Sequence, residues 1–254
     1  MTRPTLKVLS NNSFQPEDLH GVRDLHITAR IAELKPDDFQ GLAHLESLTI
    51  GPQCDEISRP LFPFEAKTQV TVLRPGLFAH LKGLKSLRIW MKGVAAIAEG
   101  AFEGMPRLRD LNLEGNRIEV IERKAFTGLT QLSTLSLSHN ELTRVPRHYL
   151  EGLRSLTRLN LSFNDIREID PGAFSELTQL VSLDLHGNRL AKLQEGTFAG
   201  VGELDAIDLI GNPLRKLTPG SFNGIQDLAQ ISLRWWGKSL SEPKHQLVGA
   251  LASR

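Results

Sequence analysis

Leucines recur along this chain at a fixed spacing that predicts its architecture. The frame L-x-x-L-x-L-x-x-N first appears at residue 108 and returns every 24 residues. Its two leucines in L-x-L stand two positions apart, which is the period of a β-strand with one buried face. Five copies keep the frame: Leu108-Leu111-Leu113-Asn116, Leu132-Leu135-Leu137-Asn140, Leu156-Leu159-Leu161-Asn164, Leu180-Leu183-Leu185-Asn188 and Leu204-Ile207-Leu209-Asn212.

Each unit has a second apolar half after the asparagine, as at Ile118 and Ile121. A bulky apolar residue then recurs in the same register at Phe102, Phe126, Leu150, Phe174, Phe198 and Phe222. Weaker copies before and after this array bring the total to about nine units. The step from Leu45 to Leu84 is 39 residues instead of 24, and the excess falls near residues 54–68.

The physical consequence of the repeat is a solenoid. One unit alone buries too little apolar surface to offset the entropy of ordering its backbone, so the units must stack. Stacked strands lie about 4.8 Å apart in a parallel sheet. Because side chains alternate along a strand, the polar residues of all units then form one continuous surface.

The frame LxxLxLxxNxLxxL with a later phenylalanine resembles the leucine-rich repeat over about residues 22–236. The resemblance implies an α/β solenoid, a horseshoe with a concave parallel β-sheet and an irregular or short-helical convex side. This unit length is similar to the repeats of Toll-like receptors, Slit-type guidance proteins and small leucine-rich proteoglycans, which are extracellular recognition proteins. Neither end of this chain carries the cysteine clusters usual there. Residues 1–21 and 237–254 are expected to be the two caps.

Charge and composition narrow the partners. Lys plus Arg number 30 and Asp plus Glu 29, for a net charge of +1. Without a strong field we expect no nucleic-acid partner. Cys54 is the single cysteine, so neither an intrachain disulfide nor a cysteine zinc site can form. No signal peptide and no apolar run of membrane-helix length occurs. We expect no membrane insertion, and the compartment stays open: cytoplasmic as written, or extracellular by resemblance if a signal was trimmed.

The recurring asparagine predicts a structural ladder. A buried amide without partners would be costly, at roughly 1–3 kcal/mol per unsatisfied group. In a stacked solenoid it has partners, because the backbone of adjacent turns offers donors and acceptors where each strand ends. We expect the ladder at Asn116, Asn140, Asn164, Asn188 and Asn212.

Outward strand positions are the leading candidates for ligand binding. Exposed tryptophan and arginine are frequent interface anchors, so Trp90 is the first residue to test. His139 lies at the rim with Ser136 and Ser138 predicted to face outward beside it; it is either a solvated residue or a ligand contact. The candidates are Arg88, Trp90, Met91, Asp110, Asn112, Glu114, His139, Arg158, Phe163, Asp184, His186 and Asp208.

The extra segment of the second unit is a second candidate. It holds Phe62 and Phe64 around Pro63. Insertions in a regular solenoid map to loops and often serve binding. The alternative is that the segment folds back and buries its own phenylalanines, and both interpretations stay open.

Three classes of function are weighed. The first is a non-enzymatic recognition module that binds a protein or peptide on the concave face. The second is a structural or adhesion scaffold, or a carbohydrate-binding surface, without a specific concave protein ligand. The third, an enzyme, lacks support because no GxSxG, HExxH, phosphate-binding or dinucleotide motif occurs. We therefore expect no catalytic residue, no cofactor and no metal ion. Oligomeric state cannot be read from the pattern.

Overall fold

The strands follow the repeat in a computed structural model, which describes residues 5–8, 21–27, 34–51, 71–90, 93–201, 204–214, 219–225 and 232–234. In chain order they are β1 (Thr5–Val8), β2 (Asp24–Ile27), β3 (Ser47–Ile50), β4 (Val72–Leu73), β5 (Ser86–Ile89), β6 (Ala96–Ile97), β7 (Asp110–Asn112), β8 (Val120–Ile121), β9 (Thr134–Ser136), β10 (Arg144–Val145), β11 (Arg158–Asn160), β12 (Glu168–Ile169), β13 (Ser182–Asp184), β14 (Ala206–Asp208) and β15 (Ser232–Arg234).

Ten of these strands form one parallel sheet in the order β1-β2-β3-β5-β7-β9-β11-β13-β14-β15. Equivalent residues of successive units align across it, so that Leu135 is in register with Leu159, and Leu159 with Leu183. These leucines are buried, while their neighbours along each strand point outward. The expected solenoid with a parallel sheet is therefore confirmed.

The first strand lies inside the segment expected to be the N-terminal cap. Thr5 to Val8 pair in parallel with Asp24 to Ile27, residue for residue. Their sequence, TLKV, alternates polar and apolar residues as the later strands do. The large sheet therefore starts before the first recognisable repeat.

The opposite side of the solenoid consists of turns with little regular structure. Two small parallel sheets, β4-β6-β8 and β10-β12, contribute two residues per strand. The helices of the described residues are two short 3₁₀ segments, Pro36–Phe39 and Pro219–Phe222. Neither these nor any other helix among the described residues is long and apolar enough to span a membrane.

A column of stacked phenylalanine rings fills the core behind the side of the solenoid opposite the large sheet. The rings of Phe78 and Phe102 stack with centroids 6.1 Å apart, and those of Phe102 and Phe126 at 5.8 Å. Leu150 interrupts the column, which resumes at Phe174 and Phe198 with a spacing of 6.2 Å. All of these side chains are buried. The bulky residue of each unit thus fills the width of the core behind the strands.

The long second unit does not interrupt the sheet. β3 pairs directly with β5, with Leu48 in register with Leu87, although 35 residues separate Ile50 from Ser86. Phe62, Phe64 and the whole extra segment, residues 54–68, lie outside the described residues. Whether the segment binds a ligand or folds back and buries its own phenylalanines therefore stays a prediction with two alternatives.

Candidate binding surface

The five ladder asparagines are buried where the strands end: Asn116, Asn140, Asn164, Asn188 and Asn212. Asn164 shows the pattern. Its amide nitrogen donates to the carbonyl oxygen of Leu161 at 3.1 Å and to that of Leu137, one unit earlier, at 2.9 Å. Its Oδ1 accepts the backbone N–H of Leu142 at 3.0 Å. These amides join neighbouring turns and are turned away from the outer surface.

A second row of amides and carboxylates faces the concave side. The Oδ1 atoms of this Asx row accept the backbone N–H two residues later, at 2.9 Å in every case: Asn112, Asn160, Asp184 and Asp208. Each side chain supplies an acceptor to an N–H just past the end of its strand. Three of these residues, Asn112, Asp184 and Asp208, are predicted ligand contacts and therefore also have a structural role, which the sequence indicated only by the recurrence of Asn and Asp at that position of the repeat.

The backbone just before the ladder asparagine is left-handed in each complete unit. Three units place glycine there, with φ of 71° at Gly115, 66° at Gly187 and 76° at Gly211. The other two place His139 and Phe163, both with φ of 53°. A side chain in this conformation costs roughly 1–2 kcal/mol, which glycine avoids. Two units therefore have an aromatic ring at the left-handed position where the other three avoid the backbone strain with glycine.

These rings meet a third one and form an aromatic cluster, defined as His139, Phe163 and His186. The rings of His139 and Phe163 stack at 4.4 Å between centroids with 12° between their planes. The rings of Phe163 and His186 form a T-shaped pair with 4.8 Å between centroids and 65° between their planes. Phe163 stays 46% exposed although it makes both contacts. His139 and His186 come from units that are not adjacent, and Phe163 of the unit between them contacts both rings. The sequence did not show these ring contacts.

Glycines make room for the rings of this surface. A Cβ at Gly187 would lie 2.9 Å from Cδ1 of Phe163, and one at Gly115 would collide with the indole of Trp90. Trp90 is half-buried against that glycine. Phe163 therefore has a larger exposed fraction than Trp90, the residue that the sequence analysis placed first.

The remaining candidates divide by exposure. Arg88, Asp110 and Arg158 are exposed on the concave side, and Glu114 is half-buried. His186 lies with Nδ1 3.9 Å from Oδ1 of Asp208. Met91 is outside the described residues.

Ser138 is buried, although alternation predicted that it faces outward beside His139. Ser138 is 2% exposed, and Ser162, one unit later, is 4% exposed. Both serines come two residues after the last residue of a strand, Ser136 or Asn160. Their hydroxyls bond to the side chain of that residue: Ser162 Oγ donates to Asn160 Oδ1 at 2.7 Å, and Ser138 Oγ lies 3.2 Å from Ser136 Oγ. The longer side chains at the same position of the other three units, Glu114, His186 and Ile210, are half-buried.

An ion-pair network lies at the edge of the sheet where the first strands begin. Glu46 bridges Arg23 at 2.6 Å and Lys85 at 2.9 Å, so that three adjacent units are linked. The hydrogen bond from Lys85, with help from Arg23, holds the pKa of Glu46 below its usual value. This edge is a structural ion pair network on the described part of the surface.

The surface offers binding contacts and little chemistry. No group of three or more His, Cys, Asp or Glu side chains that could hold a metal ion occurs within the described ranges. What those ranges present is an exposed aromatic ring, hydrogen-bonding side chains and separated charges. Such a combination is typical of surfaces that bind other molecules.

Comparisons with known proteins place the chain in a family. A family model described as "Leucine rich repeat" matches residues 82–142, 130–190 and 178–235, which together exceed half of the chain. A sequence search of curated proteins gave no match. The solved TLR13–ssRNA13 complex aligns with a TM-score of 0.73 and 25% identity over 92% of this chain and 31% of that one.

An internalin, InlF of Listeria monocytogenes strain 4b F2365, shares the fold at a TM-score of 0.59 and 19% identity, over 89% of this chain and 56% of that one. This chain thus spans about a third and about half of the lengths of the two solved chains. The family supports an interaction module, and its proteins are generally non-enzymatic. The chain belongs to the leucine-rich repeat family.

Proposed function

We propose that this chain is a non-enzymatic recognition module that binds a protein or peptide ligand on the concave face, centred on Phe163. The observation that carries the proposal is the aromatic cluster. Two units place a residue with a side chain, His139 or Phe163, on a left-handed backbone where the other three units have glycine. The rings of both residues are exposed. Backbone strain of this kind is concentrated at functional sites. Exposed aromatic rings are frequent anchors of protein interfaces.

Protein or peptide fits the charges of this face better than nucleic acid does. The solved TLR13 complex contains ssRNA13, so RNA is the specific alternative. On the described strands of the large sheet and just past their ends, however, the basic residues are not in excess: Asp24, Asp110, Glu114, Asp184 and Asp208 stand against Lys7, Arg88, Arg158 and Arg234. Binding of a phosphate backbone requires an excess of basic residues.

The competing function is a structural or adhesion scaffold without a specific concave ligand, or a surface that binds carbohydrate. A scaffold gains nothing from an exposed phenylalanine on a strained backbone. Partner capture on one face separates the two functions. Replacing Phe163 with alanine removes the ring and leaves the ladder and the Asx row intact.

The test compares capture by wild type, Phe163→Ala and a matched control, Val120→Ala. Val120 is 48% exposed and lies in the small β4-β6-β8 sheet, away from the concave sheet. Immobilised proteins would capture partners from the native source, and the affinity of each purified partner would then be measured. We expect a protein partner that wild type and Val120→Ala bind equally and that Phe163→Ala binds at least tenfold more weakly. Equal capture by all three proteins, or displacement of the partner by single-stranded RNA, would contradict the proposal.

A further inference from the structure

Basic residues are grouped at the edge of the large sheet where β5 and β7 begin. Lys85 and Arg109 immediately precede these two strands, and Lys82 and Arg107 lie in the turns that lead into them. All four side chains are exposed. Together with Arg23, which immediately precedes β2, they form a surface that we call the basic edge: Arg23, Lys82, Lys85, Arg107 and Arg109.

Carboxylates balance only part of the charge of the basic edge. Glu46 bridges two of its members, Arg23 and Lys85. The other three form no ion pair and no side-chain hydrogen bond with any residue that the structure describes. Asp24 and Asp110, the first residues of β2 and β7, form no ion pair with this edge within the described ranges. Basic residues therefore outnumber carboxylates along the edge.

The fold does not need positive charge at these positions. In the next two units, serine and threonine occupy the position of Lys85 and Arg109. The hydroxyl of Ser133 donates to the carbonyl oxygen of Arg109 at 3.2 Å, and that of Thr157 donates to the carbonyl oxygen of Ser133 at 2.9 Å. Uncharged side chains at this position thus add a hydrogen bond between units.

The two charges are also next to each other. The backbone N–H of Arg109 donates to the carbonyl oxygen of Lys85 at 2.8 Å, so these residues are neighbours across the sheet. Like charges that stand opposite each other on adjacent strands destabilise a sheet. Because serine would both remove this repulsion and supply a hydrogen bond, the charges of the basic edge have a use other than folding.

A segment rich in glutamate or aspartate matches this edge in charge. Three of the five members are arginines. A guanidinium group binds a carboxylate through two parallel hydrogen bonds, which gives geometric specificity in addition to attraction. Complementary charges of this kind also steer the two partners toward the correct contact.

RNA is the alternative polyanion, because the solved TLR13 complex contains ssRNA13. Proteins that bind single-stranded nucleic acid combine positive charge with aromatic side chains on which the bases stack. The exposed large hydrophobic residues of the described chain are Val120, Phe163 and Val181, and none of them belongs to β5, β7 or the turns before them. Trp90 is half-buried and follows the opposite end of β5. The basic edge therefore fits an acidic peptide better than RNA.

We propose that the basic edge binds an acidic segment of a protein partner. Carboxylates of that segment pair with Lys82, Arg107 and Arg109, which have no ion pair within the described chain. The inference goes beyond the proposed function, because the basic edge includes neither Phe163 nor the outward residues of the concave strands.

The test uses two fluorescent peptides of equal length, one of alternating Glu and Ser and one of alternating Gln and Ser, and a single-stranded RNA. Affinities would be measured by fluorescence anisotropy at physiological ionic strength. The double variant Arg107→Gln/Arg109→Ser introduces the residues that the next unit has at these positions, Gln131 and Ser133. Its unfolding midpoint should therefore stay close to that of wild type. We expect the Glu/Ser peptide to bind wild type and to bind this variant at least tenfold more weakly.

Arg117→Gln/Arg167→Gln is the matched control. It also removes two exposed arginines that form no ion pair within the described chain, and both lie past the opposite ends of the strands. We expect its affinity for the Glu/Ser peptide to stay within twofold of wild type. Equal losses in the two double variants would mean diffuse attraction and overturn the inference. No measurable binding of the Glu/Ser peptide, or equally tight binding of the Gln/Ser peptide, would overturn it as well.

Two further outcomes separate this inference from its alternatives. If the RNA binds wild type more tightly than the Glu/Ser peptide does and is lost in Arg107→Gln/Arg109→Ser, the edge binds nucleic acid and the acidic partner is wrong. Phe163→Ala should leave the affinity for the Glu/Ser peptide unchanged. A loss in that variant would mean that the peptide binds the concave face, which would overturn the inference and leave the proposed function standing.

Discussion

Replacing Asn164 with leucine tests whether the hydrogen bonds of the asparagine ladder stabilise the fold. The carbonyl oxygens that Asn164 contacts keep a second donor, since Leu137 O also accepts from Asn140 at 3.0 Å and Leu161 O from Asn188 at 2.9 Å. The N–H of Leu142 has Asn164 Oδ1 as its acceptor, at 3.0 Å. Leucine therefore leaves one buried N–H without an acceptor.

The magnitude follows from that arrangement. An orphaned buried donor costs about 1–3 kcal/mol, and each weakened contact adds about 0.5–1.5 kcal/mol or less because its carbonyl keeps one donor. Leucine regains part of the loss by its apolar character. We expect Asn164→Leu to lower the free energy of unfolding by about 2–4 kcal/mol.

The assay is equilibrium unfolding in urea, followed by circular dichroism and by tryptophan fluorescence so that two-state behaviour is checked. Amide hydrogen exchange adds a local readout, since the N–H of Leu142 should exchange faster than in wild type. As a control, Glu141→Leu introduces leucine at the exposed residue just before Leu142 and should change the free energy of unfolding by less than about 0.5 kcal/mol. If Asn164→Leu were as stable as that control, the hydrogen bonds of the ladder would not stabilise the fold.

Three further changes probe other contacts. Thr134→Val should stabilise the protein by about 1 kcal/mol in urea unfolding, because Thr134 Oγ1 is buried without a partner among the described residues; a lower midpoint would contradict this. Gly187→Ala should destabilise by about 1–2 kcal/mol, and less in a Phe163→Ala background, since its Cβ meets that ring; equal losses in both backgrounds would exclude the clash. Glu46→Gln should destabilise at neutral pH. Lys85 and Arg23 lower the pKa of Glu46 in the folded protein. The contribution of the Glu46 carboxylate to stability is therefore present above its unfolded pKa of about 4.3 and is lost as pH falls through its folded pKa. The unfolding curves of wild type and Glu46→Gln should accordingly converge in acid.

The repeat frame predicted the fold because burial is the strongest constraint on such a chain. Each strand needs two inward side chains two positions apart, and leucine at those positions in five copies leaves one arrangement that buries all of them. Thr5–Val8 is the instructive case. It has the alternation of a strand but lacks the rest of the frame, so matching the frame did not predict that it pairs with the first repeat.

The candidate site was predicted less completely, for a reason that lies in the backbone. Alternation predicted which strand residues lie on the concave face, as Asp184 does, but it did not predict that Ser138 is buried while His186, at the same position of its unit, is half-buried. Past the strand the direction of a side chain depends on φ, and a left-handed His139 or Phe163 leaves no period in the sequence. The visible signal was their alternation with glycine at one position of the repeat, and its meaning needed the backbone angles.

The constant offsets of the ladder bear on how such a chain can change in length. Asn140, Asn164 and Asn188 each bond to residues 27 and 3 positions earlier and accept from a residue 22 positions earlier. If one 24-residue unit of the array were removed or duplicated, each ladder asparagine would still find equivalent backbone atoms at the same offsets for its hydrogen bonds. The ladder is therefore compatible with the gain and loss of whole units. The aromatic cluster has no such freedom, because His139, Phe163 and His186 come from three successive units and occur together once in the described chain. The scaffold is thus interchangeable unit by unit, while the surface it presents is tied to one position along it.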